Sequence, residues 1–276
     1  GSGKTALGIE IAQALGTEVV SADSMQFYRG MEIGTGAPSA KELALVKHHF
    51  VGHLTPDQEM SAGDYEVEAR KVVAALNAEG KPAVVVGGSG LYVQALIDGM
   101  FDGPGKDEAI RDRLEAEVAQ IGVDALYGRL ESMDPDYAKI ISRGDLRRIV
   151  RALEIFEVSG ERASVLYARH QENLVSLDAV QFAIEYPREE LYARINRRVD
   201  EMLKMGLVEE IERLEEQGYA KDIMRLKSLG YREMLSFVKG EREYDEAVEL
   251  MKMHTRRYAK RQLTWFRGDS RVQYLE

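Results

Sequence analysis

Hydrophobic positions recur with two periods along the chain, and the change of period divides it. Leu7, Ile11, Ala14 and Leu15 fall at helical spacing and Gly16 ends the run, which predicts a first helix. Glu18–Ala22 follows as a short apolar run closing at Asp23, and Ala83–Val86 is a second, held between Pro82 and Gly87-Gly88. Such runs, bounded by turn residues, read as strands. Ala62–Ala78 between them carries a helical pattern. Strand, helix and strand after a glycine-rich loop predict a parallel sheet covered on both faces. From about Gly103 to Asp178 the pattern is helical and rich in charge. Alternation returns over Val180–Tyr186, with Val180, Phe182, Ile184 and Tyr186 on one face, as in a third strand. Pro187 then opens a long helix reaching Leu203, and further helices run to the end. The predicted fold class is α/β: a parallel sheet flanked by helices, with a mostly helical insertion. The predicted boundaries are 1–104 for the first part of the core, 105–178 for the insertion, and 179–276 for the second part with a basic C-terminal helix. The chain shows no internal repeat and no low-complexity segment.

Composition narrows the class. The 276 residues, 45% hydrophobic and 30% charged, exclude a disordered or collagen-like chain. No run approaches a membrane span and no signal peptide is visible in the sequence, so a cytoplasmic protein away from membranes is expected. The lack of cysteine excludes disulfides, thiolate metal sites and a cysteine nucleophile. A net charge of −10 makes the chain a poor non-specific polyanion binder. Any nucleic-acid role must rest on local basic clusters, and two are present: RGDLRRIVR at 143–151 and the segment 255–276.

Several short patterns carry chemistry. Gly1-Ser2-Gly3-Lys4-Thr5 is the back half of G-x-x-x-x-G-K-[ST], so its first glycine and preceding strand are expected upstream of Gly1. Backbone N–H groups of such a loop, with the positive end of the following helix, face phosphate oxygens. Lys4 would reach the outer phosphates and the Thr5 hydroxyl would hold Mg²⁺. Asp23 ends a strand at the edge where parallel sheets bind ligands. There it serves as a metal ligand, a proton acceptor, or a plain turn aspartate. Gly87-Gly88-Ser89-Gly90 lies at the same edge, where small residues admit a ligand and the Ser89 hydroxyl can donate to phosphate; the alternative is an ordinary strand-to-helix turn. Leu146, Ile149, Val150 and Leu153 form an apolar stripe, which leaves Arg147, Arg148 and Arg151 on the other face with only Glu154 near enough to pair. That face binds an anion or RNA, or is a solvated helix surface. Arg194 and Arg198 share a helix face and either clamp a leaving phosphate or pair with Glu190 and Glu201. Thr255–Arg267 (TRRYAKRQLTWFR) interleaves cations with Tyr258, Trp265 and Phe266, which suits a nucleic-acid surface and equally a helix whose aromatics pack inward. His48, His49 and His53 lack the spacing for joint metal ligation and are expected to be structural.

Together these segments resemble the tRNA dimethylallyltransferases. The resemblance rests on GSGKT at 1–5, SADSMQFYRGMEIGTG at 21–36, VVVGGSGLYVQAL at 84–96, DLRRIVRALEIF at 145–156, RINRRVDEMLKMGLVEEI at 194–211, SLGYRE at 228–233 and TRRYAKRQLTWFR at 255–267. It implies transfer of a dimethylallyl group from its diphosphate to N6 of the adenosine 3′ of the anticodon. The implied partners are dimethylallyl diphosphate and a tRNA anticodon stem–loop, the cofactor is Mg²⁺, and the protein acts as a monomer. By resemblance, Asp23 is the general base, while Lys4, Ser89 and Arg194 act on the departing diphosphate. Gly1, Ser2, Gly3, Lys4, Thr5 and Arg198 bind that group, with Thr5 on the metal. Asp23, Ser24, Met25, Gln26 and Ser89 line the flipped base. Arg111, Arg147, Arg148, Ile149, Val150 and Arg151 belong to the part that grips tRNA. Two positions depart from the family pattern: Ser89 stands where threonine is usual, and Arg147-Arg148 where Gln-Arg is usual. The rival readings are a small-molecule kinase, an isopentenyltransferase acting on free AMP or ADP, and a non-catalytic RNA-binding protein. A kinase needs neither basic cluster, the free-nucleotide enzyme needs no RNA-gripping insert, and a pure binder needs no Lys4/Thr5/Asp23 set.

Overall fold

The computed structural model describes residues 2–101 and 103–275. In chain order the first elements are α1 (Lys4–Ala14), β1 (Val19–Ala22), α2 (Glu32–Thr35), α3 (Ala40–Leu45), β2 (His48–His49), α4 (Ala62–Ala78), β3 (Val84–Gly87) and α5 (Gly90–Asp98). Five helices follow: α6 (Glu108–Ile121), α7 (Val123–Met133), α8 (Pro135–Ile140), α9 (Leu146–Ser159) and α10 (Ala163–Glu172). The chain ends with β4 (Gln181–Ile184), α11 (Arg188–Lys204), α12 (Leu207–Glu216), α13 (Ala220–Leu226), α14 (Tyr231–Val238), α15 (Tyr244–Arg267) and β5 (Val272–Leu275). It is an α/β protein with a small parallel sheet and many helices. No helix among the described residues is long and apolar enough to cross a membrane. The chain divides into two units, residues 1–97 with 177–276, and residues 98–176, against the sequence-based boundaries of 105 and 178 for the second.

In the first unit β1 lies between β2 and β3, parallel to both. Successive strand residues point to opposite faces, and both faces of β1 are covered. Val19 clusters with Ile9 and Ala12 of α1. Val20 and Ala22 join Tyr65, Ala69 and Val73 of α4 in the main core. Ser61 and Asp64 form a reciprocal capping box that starts α4 where its apolar periodicity begins.

Three expectations change. The helix over Leu7–Leu15 is present, but Ile11 and Leu15 are exposed, and the buried face is Gly8, Ile9 and Ala12. Gly8 sets that face: a Cβ there would lie 2.3 Å from Cγ2 of Val86, so α1 meets β3 through its smallest residue. The strand expected over Val180–Tyr186 shortens to β4 and pairs in parallel with β5, in a separate two-stranded sheet. β5 and β2 were not expected; β2 is only two residues long and has no periodicity to detect.

The second unit has its own core, built from Leu114, Leu126, Leu130, Tyr137, Ile149, Leu153 and their neighbours. Ile149 and Val150 lie inside it, 0% and 5% exposed: their side chains belong to the stripe that packs α9 down. Asp134, fully buried, caps α8 at the Tyr137 N–H and also accepts from the Ser164 N–H, tying α8 to α10.

Candidate active site

Every group named next lies in the first unit. Gly3, at φ +84, turns the chain into α1 in a left-handed conformation that glycine adopts without penalty. This exposes the first N–H groups of α1, which carry no side-chain cap. Gly1 lies outside the described residues. Lys4 begins the helix, and burial pulls its pKa down; the Asp23 carboxylate opposes this, while the Arg198 guanidinium adds to it. Arg198, on α11, is likewise lowered by burial and supported by Asp23, Glu201 and Glu42. Lys4, Asp23 and Arg198 therefore form one electrostatic group, two cations around a carboxylate.

The strand ends bring the remaining groups to this edge. Ala22 pairs with Gly87, so Asp23 and Gly88 emerge side by side. Gly87 admits no side chain, because a Cβ would lie 2.2 Å from the Ala22 carbonyl oxygen. The Ser89 N–H donates to that same carbonyl at 3.2 Å. Asp23 Oδ1 accepts from the Met25 N–H at 3.2 Å, and the Asp23 carbonyl accepts from the Gln26 N–H at 3.0 Å. These bonds curl residues 23–26 back over the strand end as an aspartate turn. Ser24 faces Ser89: its N–H donates to Ser89 Oγ at 3.0 Å, and the two hydroxyls lie 3.1 Å apart. Gln26 Nε2 donates to the Gly36 carbonyl at 3.2 Å, and Arg198 Nη2 donates to the same oxygen at 3.4 Å. Thr5 lines a small crevice with Ser21, Gln26, Pro38 and His48. Among the described residues no three His, Cys, Asp or Glu side chains could hold a metal without further ligands.

Arg194 takes a different place from Arg198. It pairs with Glu190 at 3.6 Å and stacks over the Tyr186 ring at 4.3 Å, and the Tyr186 hydroxyl donates to the Ser2 carbonyl at 3.4 Å. Of the two readings of Arg194, the i, i+4 pair is present, and the side chain also stands over a tyrosine that touches the glycine-rich loop.

Helix α15 supplies further partners, of which the sequence singled out Tyr258 and Trp265 but not Gln262. Gln262 Nε2 donates to the Gly88 carbonyl at 2.6 Å, and the Trp265 ring covers Gly90, where a Cβ would fall 2.3 Å from its Cδ1. Burial, reinforced by Asp23, raises the pKa of the Tyr258 hydroxyl, while Ser89 and Gln262 beside it oppose the shift. The spacing of Tyr258, Gln262 and Trp265, four then three apart, places them on one helix face and was the available signal. The three histidines are structural: His48 lies 2.8 Å from the Val46 carbonyl, His49 2.5 Å from Glu18, and His53 packs edge-on against Phe27 and Phe50.

In the second unit the basic face of α9 is divided. Arg147 and Arg148 are exposed, and Arg148 stands 3.5 Å from Asp145. Arg151 is turned to structure: it bonds Glu154 at 2.8 Å and the Pro104 carbonyl at 2.7 Å. Arg111 holds the same carboxylate with two bonds of 2.9 Å, and the Asp107 N–H adds a third donor at 2.7 Å. Glu154 is fully buried. Burial pushes its pKa up, but these donors more than offset that and hold it below 4.5.

Comparison with known proteins shows what the whole chain is similar to. Residues 26–269 match the IPP transferase family. A tRNA dimethylallyltransferase of Syntrophobacter fumaroxidans is 43% identical over 276 residues, 100% of this chain and 81% of the relative. One from Geobacter sulfurreducens is 42% identical over 275 residues, covering 100% and 88%. The crystal structure of the full-length tRNA isopentenylpyrophosphate transferase of Bacillus halodurans is similar, with a TM-score of 0.70, 36% identity, and coverage of 99% of this chain and 86% of that one. A eukaryotic dimethylallyltransferase acting on tRNA superposes with a TM-score of 0.81 at 29% identity, covering 96% of this chain and 67% of its own.

Proposed function

The chain belongs to the family of the tRNA dimethylallyltransferases, and we propose from its geometry how it transfers a dimethylallyl group to a tRNA adenosine. The carrying observation is the group of Lys4, Arg198 and Asp23. Two partly desolvated cations suit an oligophosphate, and one carboxylate beside them suits a proton acceptor.

The diphosphate of dimethylallyl diphosphate lies against the loop Gly1–Thr5 and the open N–H groups of α1, with Lys4 and Arg198 on its oxygens and Ser89 donating from the opposite strand end. This is the phosphate-cradling loop of a P-loop core. Arg194 acts at one remove, through Tyr186 and the loop. The adenine, turned out of its stack, lies over the turn 23–26, with Ser24, Met25 and Gln26 against the base. As the bond from N6 to the first carbon of the dimethylallyl group forms, the bond from that carbon to the diphosphate oxygen breaks. The electron pair leaves with the diphosphate, and the N6 proton passes to Asp23. N6 is a weak nucleophile because its lone pair is delocalised into the ring, so proton removal is general-base work. Lys4, Arg198 and Ser89 meet charge that grows on the leaving group, so their contribution is electrostatic. Mg²⁺ fits the donor set as a metal carried mainly by substrate oxygens, with Thr5 as its protein ligand; it would neutralise charge on the diphosphate.

The acceptor is the adenosine 3′ of the anticodon in a stem–loop, gripped by the helical insertion with the exposed Arg147 and Arg148. The protein acts as a monomer in the cytoplasm, where tRNA is found. Incubation with dimethylallyl diphosphate, Mg²⁺ and either an unmodified anticodon stem–loop or AMP, followed by nucleoside mass analysis, tests this. The stem–loop should be modified with a kcat/KM orders of magnitude above that for AMP. Comparable values would move the chain to the free-nucleotide class.

A further inference from the structure

The first unit contains a buried carboxylate that no step of the reaction uses. Glu210 on α12 is 2% exposed and Tyr231 at the start of α14 is 0% exposed. They meet at 2.5 Å, hydroxyl to carboxylate. The remaining capacity of the pair is spent on a distant segment. Glu210 accepts from the Ile33 N–H at 2.9 Å and from the Gly34 N–H at 3.1 Å, and the Tyr231 hydroxyl accepts from the Gly34 N–H at 3.1 Å. Those N–H groups are the open start of α2, a four-residue helix that has no side-chain cap of its own. Burying a carboxylate is costly unless such donors surround it. Burial does raise the pKa of Glu210, while Tyr231 and the two N–H groups oppose the shift. The approach is close enough that residue 34 must be glycine: a Cβ would fall 2.4 Å from the Tyr231 ring.

What α2 carries explains why it is held so firmly. It ends at Gly36, φ +60, whose carbonyl is the shared acceptor of Gln26 and Arg198. A loosened α2 releases one group on the base side and one on the phosphate side together. We propose that Glu210 and Tyr231 are positioning residues: by anchoring α2 they fix the Gly36 carbonyl, which holds Arg198 and Gln26 in their working geometry. This rests on the reading of Arg198 as a diphosphate ligand.

Tyr231→Phe keeps the ring in the core and removes only the hydroxyl. Pyrophosphate affinity, measured by calorimetric titration, should weaken about tenfold in this variant, within the usual range for coupled neighbours. In an Arg198→Ala background the same substitution should change pyrophosphate affinity less than twofold, because its effect passes through that guanidinium. Glu210→Gln should behave alike and serves where Tyr231→Phe does not fold, while Glu212→Gln on the exposed side of α12 should leave affinity unchanged. Equal losses in both backgrounds would show a general effect on folding and overturn the proposal, as would unchanged affinity in Tyr231→Phe. Absence of pyrophosphate binding by the wild type would overturn the cradle itself, an outcome distinct from additivity between Tyr231 and Arg198.

Discussion

Replacing Gly36 with alanine separates the cost of a strained backbone from the cost of a displaced cation. Gly36 ends α2 in the left-handed region, which costs an L-residue about 1–2 kcal/mol. A Cβ at this position would stand 1.6 Å from Arg198 Nη2 and 2.8 Å from its Cζ. The guanidinium must therefore withdraw by roughly 2 Å to reach ordinary contact distance. Its end is flexible, so the withdrawal adds little to the folding cost. A loss of about 1–2 kcal/mol corresponds to a fall of about 2–8 °C in melting temperature for a chain of this size class. The withdrawn guanidinium no longer meets the diphosphate, and a hydrogen bond between charged partners contributes about 1.5–3 kcal/mol, or roughly ten- to hundredfold in affinity. Thermal melts and pyrophosphate titration on the same preparation give both quantities. A melting temperature that falls as expected with pyrophosphate affinity unchanged would remove Arg198 from the diphosphate site. An unchanged melting temperature would mean that the backbone at position 36 carries no such demand.

Asp23→Asn should slow transfer by about 10²–10⁴-fold, the range for losing a general base. It also removes the group that raises the Lys4 pKa against burial and Arg198. The pH at which pyrophosphate affinity weakens, as Lys4 loses its proton, should therefore shift downward in the variant; superimposable pH profiles would contradict the coupling. Arg147→Ala should reduce the salt slope of tRNA binding by roughly 0.7–0.9 log unit with little change in melting. Arg151→Ala should instead destabilise the second unit by about 1.5–3 kcal/mol, because it takes a charged donor from buried Glu154; the reverse pattern would return Arg151 to an RNA-facing role. Glu154→Gln should lower the melting temperature at neutral pH. Since the folded pKa lies below 4.5, the wild-type advantage is present above that value and lost as pH falls through the folded pKa, so the two melting curves should converge in acid. A gap that persists there would point to packing, not charge.

The elements legible in the sequence are those whose periodicity and punctuation agree. Ala62–Ala78 was read to the residue, because its apolar spacing starts beside a Ser61/Asp64 box and ends before Gly80. β1 and β3 were placed within a residue or so by Asp23, Pro82 and the glycine pair. The meeting of Asp23 and Gly88 at one edge follows from topology, since parallel strands deliver their carboxyl ends together. Less legible was anything decided by a partner far along the chain. The face of α1 depends on how closely Gly8 approaches Val86, and no local pattern encodes that. Arg151 reads as one of a trio on a cationic helix face until Glu154 is seen buried and Arg111 is seen to share it. Glu210 lies 177 residues from the N–H that it caps, and its own helix gives no reason to expect it.

The three charges at the end of β1 impose a connection between binding and chemistry. Lys4 and Arg198 are both penalised by burial, and Asp23 opposes that penalty for each. In the proposed mechanism a bound diphosphate would bring several negative oxygens to the same cations and take over that neutralisation, leaving the carboxylate to face the amine. The charge that develops on the leaving group strengthens the same contacts as the reaction proceeds, so their effect is greater in the transition state than at rest. In the proposed mechanism the group that accepts the proton is also the one that opposes the burial penalty on both cations, and substitutions on either side of it should be non-additive for that reason.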